Sequence, residues 1–179
     1  VDNNFLMCVY LEPHCNLRDN FYICSYSFID VTVGISYIHE TSSKIGDYQH
    51  GIDRVYQSIK RYNPKEVLIH VQNSSASASA SSWIYSREKL VADLELDMDG
   101  RVYHYRENEI PEMYSKVSFQ NEFLGSIFTQ HGLLTPIEYV ELERHPSIVI
   151  CYLLLLDFAK GHRIDIVSKL SKPIMLDSG

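Results

Sequence analysis

Basic charge is what this sequence is short of: 16 Lys and Arg stand against 23 Asp and Glu, a formal net charge of −7. A free-standing nucleic-acid binder carries the opposite excess, because it must displace counterions from phosphates. Independent DNA binding is therefore not expected. The dipeptide Gly-Lys, the heart of a Walker A loop, occurs nowhere, which excludes a P-loop. Only four cysteines are present, Cys8, Cys15, Cys24 and Cys151, and none forms a CxxC pair. That spacing argues against a disulfide scaffold and for free thiols in a reducing compartment. The most apolar run, Ile148 to Leu156, is far short of the ~20 residues a membrane span needs. Val1-Asp2-Asn3-Asn4 has no basic flank of the kind a signal peptide carries. The expectation is a soluble, intracellular protein with no membrane partner. The chain also lacks an initiator Met and opens close to a strand pattern, so it reads as a piece of a longer chain.

What is present is an ordinary core composition, 45% hydrophobic over 179 residues, enough for one domain. Phe5 to Leu11 is an apolar, β-rich run that Pro13 is expected to end. Phe21 to Val33 alternates, with Tyr22, Cys24, Tyr26 and Phe28 on one side and Ile23, Ser25, Ser27 and Ile29 on the other. After Gly34, Ile35 to Thr41 is a third strand, and the short connections favour an antiparallel meander. The period then changes. Ile52, Val55, Tyr56, Ile59 and Tyr62 recur at helical steps, Asn63-Pro64 stops the helix, and Glu66 to Val71 is a short strand.

Asn73 to Ser82 is a Ser/Ala tract with nothing to bury, expected as a flexible surface loop. Ser86 to Leu96 predicts a helix capped by Ser86, followed by a strand from Arg101 to Arg106. Asp99-Gly100 between two alternating runs keeps a hairpin open as the alternative. Beyond Tyr114 the pattern is helical. A stripe runs from Val117 to Phe128 with Gly132 as its stop, and Thr135-Pro136-Ile137-Glu138 reads as a capping box. A helix opened by Pro146 runs to Lys160 and is ended by Gly161, and a last short helix covers Asp165 to Leu170. Pro173-Ile174-Met175-Leu176 looks like the start of a further element. The fold class is α/β: a ribonuclease H-like mixed sheet in the order β-β-β-α-β-α-β, flanked by helices, with a helical C-terminal part.

A catalytic site on that scaffold needs carboxylates converging on two metal ions, the first in the middle of the first strand. Glu12 falls at the end of that strand, Asp30 and Glu40 fall late in the next two, and Val67 to Val71 has no acid. Asp30 and Glu40 read as solvated strand-end residues rather than metal ligands. Cys8, His14, Cys15 and Cys24 are the best metal candidates, yet their spacing fits no common zinc pattern. His39, His70 and His104 lie in strands and read as hydrogen-bonded structural residues. No catalytic, cofactor-binding or metal residue is assigned.

Two stretches resemble the connector domain of MutS-family mismatch-repair proteins. One is Val33-Gly34-Ile35-Ser36-Tyr37-Ile38-His39-Glu40-Thr41-Ser42-Ser43, with Tyr62-Asn63-Pro64-Lys65-Glu66-Val67-Leu68-Ile69 after a helix. The other is Leu133-Leu134-Thr135-Pro136-Ile137-Glu138-Tyr139 with the helix Ile148 to Phe158, ending in Pro173-Ile174-Met175-Leu176-Asp177. The chain looks most similar to the MutS forms of giant viruses and octocoral mitochondria, departing where His39 replaces the family's usual Asp and Ser43 its Gly. The resemblance implies a single connector domain over 1–179, with a mixed-sheet part at about 5–110, a helical part at about 114–172 and the loop at 73–82. It implies linkage of mismatch-binding and core/ATPase domains, relay of conformational state, and docking of a MutL-like partner through residues the sequence does not reveal. ATP and Mg would belong to the parent protein, a DNA-dependent ATPase that also supplies the DNA contact. This segment is expected to be non-catalytic, without cofactor. A ribonuclease H-like metal-dependent nuclease is the alternative.

Overall fold

Three long strands open the chain and pair in sequence order. The computed structural model describes residues 4–15, 20–44, 49–72, 86–162 and 164–176; the Ser/Ala tract at 73–82 lies outside them. Strand β1 (Phe5–Cys15) pairs antiparallel with β2 (Asn20–Asp30), and β2 pairs antiparallel with β3 (Ile35–Lys44). Helix α1 (Gln49–Tyr62) carries the chain to β4 (Glu66–Val71), parallel to β1. Helix α2 (Arg87–Leu94) then leads to β5 (Val102–Glu107), parallel to β4. A 3-10 turn (Glu112–Ser115), α3 (Val117–Ile127), α4 (Pro136–Tyr139), α5 (Pro146–His162) and α6 (Ile164–Val167) follow, and β6 (Ile174–Met175) joins the sheet beside β3. The sheet order is β5-β4-β1-β2-β3-β6. Its first five strands have the ribonuclease H-like order that the sequence pattern predicts.

Alternation divides the sheet residues between two cores. Met7, Val9, Leu11, Tyr22, Cys24, Tyr26 and Phe28 pack with Ile52, Val55 and Ile59 of α1 and with Leu90 and Leu94 of α2. Leu6, Cys8, Tyr10, Ile29 and Ile38 face α5, which is apolar nearly all round from Ile148 to Leu156 because the sheet lies on one flank and α3 on another. Each of its fully buried side chains, such as Tyr152, Leu153 and Leu156, contributes roughly 1.5–3 kcal/mol through burial. The Tyr152 hydroxyl satisfies itself on Ser36 Oγ at 2.7 Å. Among the described residues no helix is long and apolar enough to cross a membrane.

Several boundaries differ from expectation, each for a local reason. Pro13 does not end β1. The Leu11 carbonyl accepts from Gln72 N–H on the β4 side, so Pro13, two residues on, faces the same side beyond the end of β4. No ladder donor is lost there. The hairpin alternative fails. Ser86 Oγ caps α2 by accepting from Lys89 N–H, Glu95 ends the helix in the left-handed region, and Leu96 turns back into the core. Helix α3 stops at Ile127, before Gly132, because Phe128 leaves the helix to bury its ring. Thr135 and Glu138 form the expected capping box, but the helix behind it is four residues long. Gly161 does not end α5, which continues to His162.

Candidate functional site

Strand register builds one polar row across the face that α5 covers. Arg106 of β5 pairs with His70 of β4, His70 with Tyr10 of β1, Tyr10 with Ser25 of β2, and Ser25 with Glu40 of β3. The row directly below it runs His104, Leu68, Cys8, Ser27 and Ile38 and is the more apolar of the two, so polarity rises toward the carboxyl ends of β1 and β4. One step further on, Glu12 stands on β1, and Gln72 follows the end of β4. Tyr10, Glu12, Gln72, Ile110, Ser147 and Ile150 border a cavity of about 510 Å³ at the carboxyl ends of β1 and β4, beside the start of α5. Open α/β sheets bind ligands at such ends.

The electrostatics of the site follow from burial. Tyr10, 2% exposed, donates its hydroxyl to Glu12 Oε2 at 2.8 Å, and burial together with that carboxylate holds the phenol protonated. His70 is pushed down to about 4, first by burial and then by Arg106, so its imidazole is neutral. Its Nδ1 has no hydrogen-bond partner among the described residues. Burial raises Glu40, and the charge of Glu12 adds to that, while His145 and the Ser25 hydroxyl oppose it. The site therefore offers hydrogen-bond acceptors, a neutral imidazole and a carboxyl group biased toward its protonated form. Among the described residues no group of three or more His, Cys, Asp or Glu is placed to share a metal ion.

The acids weighed from the sequence separate into two places. Glu12 lies inside β1 rather than at its end, and it shares the α5 face with Glu40, one strand removed. Asp30 lies on the opposite face at the far end of β2, roughly 23 Å along the strands from Glu12. There it accepts from Thr32 N–H at 2.9 Å and serves the turn. The Cys8, His14, Cys15, Cys24 group is not assembled, because Cys8 faces α5 and Cys24 faces α1. The side chains of His14 and Cys15 fall outside the described residues. Cys8 instead accepts on its carbonyl from Cys151 Sγ at 3.4 Å. His104 Nε2 meets Glu66 Oε2 at 2.6 Å, and His39 Nδ1 donates to the Leu176 carbonyl at 3.2 Å. Sequence reasoning missed the row through His70, Tyr10 and Ser25. Its signal was a polar residue, Tyr10, Ser25 or His70, interrupting the apolar side chains that alternate onto that face, such as Leu6, Cys8, Ile29 and Leu68.

No family model matches the chain. It is similar to a DNA mismatch repair protein mutS homolog of Acanthamoeba polyphaga mimivirus, 26% identical over 185 residues, covering 95% of this chain and 16% of that protein. The chain thus spans about one sixth of that relative's length. Among solved structures it is similar to T. thermophilus RuvC in complex with a Holliday junction substrate, at 11% identity and a TM-score of 0.45, covering 90% of this chain and 97% of that one. The fowlpox virus Holliday junction resolvase gives 12% identity and a TM-score of 0.42, covering 88% of this chain and 99% of that one. These likenesses concern the fold. Against the expectation of a non-catalytic segment, both of these solved structures are those of resolvases.

Proposed function

We propose that this chain serves DNA mismatch repair as one domain of a MutS-like protein, at the connector position between mismatch-binding and core/ATPase domains. The observation that carries this reading is the extent of the mimivirus similarity, nearly the whole chain against a domain-sized share of the relative. The Gly34 to Ser43 stretch and the Pro64 to Ile69 stretch support it. They form β3 and the entry to β4, elements that frame the sheet. On this reading the chain relays domain orientation when nucleotide binds elsewhere in the protein, and offers a docking face to a MutL-like partner. ATP and Mg would be held by other segments. The coding sequence on either side tests the placement: Phe-x-Glu before this segment and a Walker A motif after it are expected. Capture of the cognate MutL-like protein by the full protein tests docking, and failure to capture it would sink that part.

A second reading, a metal-dependent nuclease, is favoured by one observation: Glu12 and Glu40 share the face and the strand ends where the cavity opens. Cleavage of branched or duplex DNA with Mg²⁺ or Mn²⁺, lost in Glu12→Gln, would support it. No cleavage by the wild-type protein would remove it.

A further inference from the structure

A second cavity lies on the opposite face of the sheet, and its charge runs against that of the chain. Arg54, Gln57, Ser58 and Arg61 of α1 fall at i, i+3, i+4 and i+7, one stripe along the helix. They face Tyr26 of β2 and Leu176 after β6, and with Tyr62 they enclose about 310 Å³. Among the described residues the lining contains two guanidinium groups and no carboxylate, in a chain where acids outnumber bases 23 to 16. Ser58 Oγ donates to the Tyr26 hydroxyl at 2.9 Å, which fixes both oxygens at the cavity wall. Burial raises the Tyr26 phenol and lowers His39; the nearby Arg54 charge is a lesser influence that opposes the first shift and adds to the second. Arg61 lies over the Tyr62 ring, 5.4 Å from its centroid, which orients its planar group at the rim. Behind the wall stands His39, 3% exposed, its ring 4.9 Å from that of Tyr26 and its Nδ1–H on the Leu176 carbonyl. Its Nε2 has no partner among the described residues. Burial keeps this imidazole neutral, so the positive character of the cavity comes from the arginines.

Planar guanidinium forks on successive helical turns, with hydroxyl and amide groups between them, match a tetrahedral oxyanion with several acceptor oxygens. We propose that the cavity between α1, Tyr26 and Leu176 binds a phosphate group, held by Arg54 and Arg61, with the Gln57 amide and the Tyr26 hydroxyl, oriented by the bond it accepts from Ser58, completing its hydrogen bonds. The volume exceeds that of free phosphate, so the group can come free or as the phosphate end of a nucleotide. This site is independent of the repair reading.

The test is a nuclear magnetic resonance titration of the protein with inorganic phosphate and with a deoxynucleoside 5′-monophosphate, at constant ionic strength, with chloride as the control. Saturable shifts confined to Tyr26, Arg54, Gln57, Ser58 and Arg61 are expected for both probes. Equal affinities assign the bare phosphate, and tighter nucleotide binding assigns the nucleotide. Arg61→Gln, at an exposed position that leaves the core intact, should weaken binding at least ~10-fold. Arg54→Gln should do the same. A linear response, shifts centred elsewhere, or unchanged affinity in both variants would overturn the proposal.

Discussion

Tyr10 donates its hydroxyl to Glu12, two residues along the same strand, at 2.8 Å, so a buried phenol is satisfied by a carboxylate at the mouth of the cavity. Removing the donor leaves the apolar ring in place and the carboxylate short of one partner. Tyr10→Phe should destabilise the protein by about 1 kcal/mol in urea unfolding, as for a charge-assisted bond partly open to water. In a double-mutant cycle Glu12→Gln should show coupling to Tyr10→Phe; strict additivity would mean that the bond contributes nothing.

His70 sets a pH dependence whose sign is fixed by its direction of shift. Folding lowers it to about 4, by burial and then by Arg106, against about 6.5 in the unfolded chain. Between those values the unfolded state binds the extra proton. Its contribution is therefore fully present above pH 6.5 and lost as pH falls toward 4, by roughly 3 kcal/mol in all. His70→Gln should flatten the stability profile in that window. An unchanged slope would assign the acid lability to other groups.

How much of this was legible in the sequence follows from the range of the interactions. Alternation in Tyr22, Cys24, Tyr26 and Phe28 placed them on one face, and the structure keeps them there. Ser86 and Thr135 announced their caps, since a cap is a contact across three residues. The polar row was not legible, because it needs the registers of four strand pairs at once. Nor was the Cys8–Cys151 contact, which joins residues 143 positions apart. Pro13 and Gly161 misled because their local preferences were overruled by what lies beside them: no strand on the β4 side of Pro13, and open space around Gly161.

Gly34 turns β2 into β3 with φ +73°, and a methyl group there would lie 2.8 Å from the Lys169 carbonyl oxygen. Gly34 also accepts Ser171 N–H on its own carbonyl, at 3.2 Å, which ties the segment before β6 to this turn. Gly34→Ala therefore meets both backbone strain and a backbone collision, and should cost about 2 kcal/mol. Hydrogen exchange should accelerate at Ser171 and Leu176 beyond the global effect. A uniform change would show that the turn does not anchor β6.

Burial pushes up the thiols of Cys8 and Cys24, and Cys151 adds to both shifts. Thiolate is the reactive form, so neither should react with an aromatic disulfide reagent in the native protein. Labelling mapped by mass spectrometry should appear at both sites only at the rate of global unfolding. Fast native labelling of either would contradict the packing described.

Arg101 makes the connection between α2 and β5 possible. Its Nε donates to the Pro64 carbonyl at 2.9 Å, Nη2 to Asn63 Oδ1 at 2.9 Å, and Nη1 to the Glu95 carbonyl at 3.3 Å. Asn63 and Glu95 both sit at positive φ, so one guanidinium holds the two strained helix ends that flank β4 and β5. At 9% exposure its partners would be left without a donor on truncation. Arg101→Ala should cost about 3 kcal/mol, near the sum for bonds from a charged donor less what water restores. Arg101→Lys should recover little of this, because an ammonium cannot reach three acceptors arranged around a planar fork. Recovery of most of the stability by lysine, measured by thermal unfolding, would show that charge rather than geometry holds this corner.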